Sequence, residues 1–143
     1  MFMGKYNNSI DAKNRMIVPS KHRDQLGGRC ILTKGMDTCL YIYPVSEWEK
    51  QMEKISVLPE TDENVRKYIR EAFSNAEECE IDKQGRILIP AELKNKVFID
   101  KELVTVGAMR RIEIWSKEVW DNPEAYKHDA EDDYISKLTK YNF

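Results

Sequence analysis

Two charged pairs in this chain have a spacing that could do chemistry. Asp11 and Arg15 lie four residues apart in IDAKNRMIVP, residues 10–19. Asp82 and Arg86 repeat that spacing in IDKQGRILIP, residues 81–90. A carboxylate so placed could act as a general acid or base. The pair could also be a simple surface ion pair, worth only ~0–1 kcal/mol. Or the Asp could fix a turn while the Arg is presented to a partner. Catalysis needs further groups at defined spacing, and none is found: there is no Gly-x-Ser-x-Gly, no Gly-rich phosphate loop and no His-Glu-x-x-His. Neither His22 nor His128 recurs between the two segments. An arginine on a rigid β-ribbon suits nucleic acid better, because guanidinium bonds guanine O6 and N7 and a ribbon fits the major groove. Lys13 and Lys83 lie within or beside the same loops and suit phosphates, which position without specifying.

The two segments belong to a longer internal repeat. At an offset of 71, Ile, Asp, Arg and Pro coincide, and the three residues before Pro19 and Pro90 are all apolar. Further on the offset becomes 72, matching Thr33-Lys34-Gly35 to Thr105-Val106-Gly107, residues 40–43 to 112–115, and Trp48 to Trp120. One extra residue in the second copy accounts for the shift. Each copy of about 45 residues reads as a strand ending at Ile10 or Ile81, a tight turn, and a second strand, MIVP or ILIP. Its terminal Pro is suited to the first position of a short helix. A strand, a Gly turn, another strand and a helix start with an inward Trp complete the unit. A unit this small buries little core alone. The expected fold is therefore α+β, two tandem β-hairpin repeats packed as a pseudo-dimer with flanking helices.

The turns must position the arginines. Asn14 stands where Gly85 stands in the other copy, and both tolerate a left-handed backbone. Asp11 and Asp82 sit where a carboxylate accepts backbone N–H groups. The expected divisions are a first repeat with its closing helix over 1–55, a helical spacer over 56–75, a second repeat over 76–120 and a helical tail over 121–143. Trp48, Met52 and Ile55 are at helical spacing. After Pro59, Asp62 can cap a helix whose stripe is Val65, Ile69, Ala72, Phe73 and Ala76. Tyr126, Ala130, Tyr134, Leu138 and Tyr141 form a third stripe, suited to a subunit contact or to its own core.

The formal net charge of −2 is uninformative as a total. Residues 1–35 carry +5, 36–80 carry −6, 81–115 carry +2 and 116–143 carry −3. The positive segments hold the two turns, which is the pattern of a polyanion-binding face balanced by acidic helices. No apolar run approaches the roughly 20 residues of a membrane span, and no signal-peptide stretch is found, so the expected compartment is the cytoplasm. Cys30, Cys39 and Cys79 form no Cys-x-x-Cys pair and read as reduced thiols; no metal or cofactor is assigned.

MFMGKYNNSIDAKNRMIVP, ILTKGMDTCLYIYP, DKQGRILIP and RIEIWSKEVW together resemble the MraZ family of AbrB-like swapped-hairpin proteins, over roughly residues 1–120. The resemblance implies a nucleoid-associated transcriptional repressor of the bacterial division and cell-wall gene cluster. It implies binding to short direct repeats in double-stranded DNA upstream of its own gene, and a homo-oligomeric ring such as an octamer. No small-molecule substrate or membrane partner is implied. Carried onto this sequence, the DNA contacts fall on Arg15, Lys13, Asn14, Arg86 and Lys83. Asp11, Asp82, Gly85, Pro19 and Pro90 hold the turns. Asn14 departs from the family's usual Gly, and Asn8 from a frequent His. An antitoxin-like regulator or a protein-binding scaffold would instead use the tail or the hairpins for a partner chain.

Overall fold

The computed structural model describes residues 1–126 and 130–143, with the side chains of 130–133 left aside. His128 and the side chain of Ala130 lie outside the described residues. The first copy runs β1 (Lys5–Ser9), β2 (Arg15–Ile17), α1 (Ser20–Leu26), β3 (Arg29–Lys34) and β4 (Leu40–Pro44). Helices α2 (Val45–Ser56) and α3 (Glu63–Ser74) follow. The second copy runs β5 (Glu77–Glu80), β6 (Arg86–Leu88), α4 (Ala91–Lys96), β7 (Glu102–Ala108) and β8 (Arg111–Ser116). The chain continues through α5 (Lys117–Asp121) and two 3-10 segments, Pro123–Tyr126 and Ala130–Leu138. Among the described residues no helix is long and apolar enough to cross a membrane.

The copies exchange strands. The six-stranded sheet has the order β1-β7-β8-β4-β3-β5, and β2 pairs with β6 in a separate ribbon. Interchanging the copies reverses the sheet order onto itself, so the sheet has a pseudo-twofold axis between β4 and β8. A local hairpin between the strand ending at Ile10 and the strand MIVP is therefore not what forms. In the first copy it shrinks to one bridge, Ile10 to Met16. Strand β1 pairs with β7 and β5 with β3. Met16 opposes Ile87 at the ribbon's centre, and both are buried with Val18 and Ile89 against the sheet.

One side of the sheet presents Leu32, Leu40, Ile42, Leu103, Ile112 and Ile114 to the ribbon, Leu26 of α1 and Leu93 of α4. The other side carries Tyr41 and Tyr43, and Trp48 of α2 bridges Tyr43 to Phe73 of α3 with ring centroids 5.5 and 5.4 Å away. Strand β4 is buried on both sides, which is why LYIYP shows no apolar–polar alternation. Cys30 faces Cys79 across β3 and β5 as a free thiol pair.

The register shows two gaps, not one. Leu32 pairs with Ile42, and Thr105 pairs with Ile114, so β3 and β7 are offset by 73 residues. The second copy has two extra residues before β7 and one fewer in the following turn. A one-residue slip turns a strand over. Thr33 and Thr105, alike in sequence, therefore lie on opposite sides. Thr33 donates its hydroxyl to the Ala72 carbonyl at 2.7 Å, while Thr105 faces the core with its oxygen unpartnered. Pro19 and Pro90 sit at the N-cap, one position before the helices, with extended ψ of 131° and 142°. Each closes the ribbon and opens the helix. Asp62 caps α3 by accepting from the Asn64 N–H. Among the described residues after α5 the tail forms 3-10 segments rather than an α-helix, and it packs on its own chain: Leu138 is buried with Ile55, Val65 and Tyr68, and Tyr141 donates to Asp62 at 2.5 Å.

Candidate nucleic-acid interface

The two turns have the same hydrogen bonds. The Asn14 N–H donates to the Asp11 carbonyl at 3.0 Å, and the Asp11 N–H to the Arg15 carbonyl at 2.9 Å. One oxygen of the Asp11 carboxylate accepts the Lys13 and Arg15 N–H groups, both at 2.9 Å. The other accepts Arg15 Nε–H at 2.9 Å. In the second copy Asp82 takes Gln84 N–H, Arg86 N–H and Arg86 Nε–H, each at 2.9 Å. Asn14 and Gly85 have φ of 60° and 79°, the left-handed backbone the turn requires. Each carboxylate thus accepts three N–H groups within its own turn. The Arg15 N–H, followed by the Arg15 guanidinium and the Lys13 N–H, holds Asp11 below the usual carboxylate range. Asp82 is lowered by the same groups of Arg86 and Gln84.

This arrangement decides what the arginines can do. Each ion pair engages Nε alone and is exposed to solvent. It therefore contributes little to stability but fixes the direction of the guanidinium. The Nη groups, which carry the donors that grip guanine or phosphate, stay outside the bond to Asp.

The ribbon sets how the arginines stand relative to each other. Arg15 pairs with Leu88, and Ile17 pairs with Arg86. Met16 and Ile87 turn inward, so Arg15, Ile17, Arg86 and Leu88 share the outer face as a two-by-two grid. The arginines occupy one diagonal, with their backbone positions about 7–8 Å apart by strand geometry. That is about two base-pair steps of 3.4 Å. Two bonds lock each turn to the other copy: the Val18 N–H donates to the Gly85 carbonyl and the Ile89 N–H to the Asn14 carbonyl, both at 2.8 Å.

Lys13 and Lys83 are both exposed but not equivalent. At the turn offset of 71, Lys13 corresponds to Gln84 and Lys83 to Ala12. The Asn14 side chain accepts from Lys94 Nζ at 3.1 Å. The structure adds three residues that spacing alone did not bring forward. Arg23 lies against Gly85 and donates Nε–H to the Val18 carbonyl at 2.9 Å. Lys94 is its counterpart in the other copy, so a cation of α1 or α4 lies beside each turn. Their separation of 71 residues, the motif's own offset, was the available signal. Asn8 donates its amide to the Ile17 carbonyl at 3.1 Å and so ties β1 to the ribbon. Among the described residues no group of three or more His, Cys, Asp or Glu is placed to hold a metal ion.

Comparison with known proteins places the chain in a family. The family model described as "MraZ protein, putative antitoxin-like" matches residues 1–70 and 72–138. A protein of Desulfitobacterium hafniense named transcriptional regulator MraZ is 50% identical over 136 residues, covering 95% of this chain and 93% of its own. Proteins of the same name from Clostridium acetobutylicum and Clostridium tetani are each 52% identical. The first covers 84% of both chains, the second 94% of this chain and 92% of its own. With its paired turns, exchanged strands and likeness over nearly its full length, the chain belongs to the MraZ family.

Proposed function

We propose that this chain is a transcriptional regulator that binds double-stranded DNA sequence-specifically through the β2–β6 ribbon. It represses the division and cell-wall gene cluster by occupying short direct repeats upstream of its own gene. The observation that carries this reading is the outer face of the ribbon. Two guanidiniums, each bonded to an Asp through Nε, stand on one face of the ribbon with their Nη groups outside that bond. A strip two strands wide, with strands about 4.8 Å apart, enters a major groove about 12 Å wide. Arg15 and Arg86 read base edges; Lys13, Lys83, Arg23 and Lys94 meet phosphates on either side. The relatives named transcriptional regulator MraZ support a role in transcription.

The protein works as a homo-oligomeric ring, such as an octamer, on the nucleoid. A ring offers several ribbons to tandem repeats, and each added contact gains from effective concentration. The alternative in which the tail recruits a partner chain is disfavoured, because Leu138 and Tyr141 are already engaged with α3 and its cap. The test is a mobility shift with a duplex from upstream of the gene against a scrambled duplex, repeated at rising salt. Specific binding whose affinity falls steeply with salt supports the reading. Equal affinity for both duplexes, or none, overturns it.

A further inference from the structure

Ile17 and Leu88 are the feature of the ribbon that guanidinium chemistry leaves unexplained. They are 54% and 56% exposed, on the face that carries Arg15 and Arg86. They fill the second diagonal of the grid, so each is flanked by an arginine across the strand pair and by another along its own strand. They are 71 residues apart and related by the pseudo-twofold axis, so both copies place a large aliphatic side chain there. Other exposed large apolar residues, such as Val57 and Met52, stand away from the motif. The ribbon's inward positions, Met16 and Ile87, already supply the core, so Ile17 and Leu88 on the outer face add nothing to it.

We propose that Ile17 and Leu88 contact thymine 5-methyl groups in the major groove, making thymine a specified base beside the bases read by Arg15 and Arg86. The inference rests on the DNA-binding reading above. The surroundings commit the patch to DNA rather than to another copy of the chain. Arginines occupy both remaining positions of the grid, and Lys13 and Lys83 stand exposed in the flanking turns. A second copy docking through its own equal patch would bring four guanidiniums together. Of the four bases, thymine alone offers an apolar group in the major groove. The backbone under Ile17 is held by Asn8, and its β-branched side chain has few rotamers, so the methyl would meet a preset surface.

The test uses the full-length protein and a duplex from upstream of its gene, prepared once with thymine and once with deoxyuridine throughout. Uracil keeps every hydrogen-bonding group of thymine and lacks only the methyl. Wild type is expected to bind the uracil duplex about fourfold more weakly per contacted methyl. Ile17→Ala with Leu88→Ala is expected to bind the thymine duplex as weakly as wild type binds the uracil duplex, and to lose the distinction between the two. Equal binding of both duplexes by wild type overturns the inference without any variant. So does a thymine preference that survives in the double variant, or a change of oligomeric state in that variant with no thymine preference in wild type. Failure of wild type to bind the thymine duplex specifically overturns the DNA reading itself, and this inference with it.

Discussion

Gly85 and Arg23 offer a quantitative check on the geometry of the turns. A Cβ built on Gly85 would overlap Arg23 Cζ and stand 2.5 Å from its Nε and 2.7 Å from its Nη2. Gly85 also has φ of 79°, which costs an alanine about 1–2 kcal/mol. The Arg23 side chain is flexible and can withdraw, but only by giving up its bond to the Val18 carbonyl. A charge-assisted bond is worth about 1.5–3 kcal/mol, and half-exposure puts this one at the lower end. Gly85→Ala should therefore cost about 3 kcal/mol in all, from the two causes together. With m of about 1–3 kcal/mol/M in urea, the unfolding midpoint should fall by about 1–3 M. In an Arg23→Ala background the same substitution should cost only the backbone share, about 1–2 kcal/mol. Asn14→Gly, at φ 60° with only the Lys94 contact to lose, should cost less than about 1 kcal/mol. The reasoning is refuted if Gly85→Ala unfolds at the wild-type midpoint, or if its cost is unchanged without the Arg23 side chain.

His22 is buried at the place that Leu93 occupies in the second copy, between the rings of Phe2 and Tyr6, with neither ring nitrogen bonded. His22→Leu should stabilise the fold by about 1–3 kcal/mol, read from thermal or urea unfolding. Burial holds the His22 pKa below 6.5, so the unfolded chain takes up the proton first. Wild-type stability should be full above about pH 6.5 and fall as pH drops below it, and the His22→Leu variant should lack that slope. Asp11→Asn with Asp82→Asn keeps an oxygen for the backbone N–H groups but turns an amide toward Nε. Circular dichroism should stay native while specific DNA affinity falls, and undiminished affinity would show that aiming the guanidiniums is unimportant. Lys13→Ala should weaken specific and scrambled duplexes alike and flatten the salt dependence by about one unit of slope. A loss confined to the specific duplex would assign Lys13 to a base.

Much of the turn was legible because its determinants are local. Asp four residues before Arg, with Asn or Gly at the third position between, encodes the carboxylate's N–H bonds and the positive φ within five residues. The Asp62 cap was legible for the same reason. What escaped was long-range. The apolar runs MIVP and ILIP read as strands but do not say that each prefers the other over its neighbour in sequence. Matching Thr33 to Thr105 by residue type hid a pair of compensating gaps, and only the strand register reveals that the two hydroxyls face opposite ways. Arg23 and Lys94 were overlooked because they sit on helices outside the motif, although folding brings each against a turn of the other copy. The tail's tyrosines had the spacing of an interface helix, yet Tyr141 is bonded to Asp62 within the chain.

The most direct measurement is a nuclease footprint on the DNA upstream of the gene, comparing wild type with Arg15→Ala at one salt concentration. Wild type should protect short, regularly spaced direct repeats. Arg15→Ala should need about tenfold or more protein to do so, from a loss of about 1–3 kcal/mol per base contact at each site. Protection of the same repeats at the same concentration by both proteins would contradict the assignment of the ribbon as the DNA-reading element.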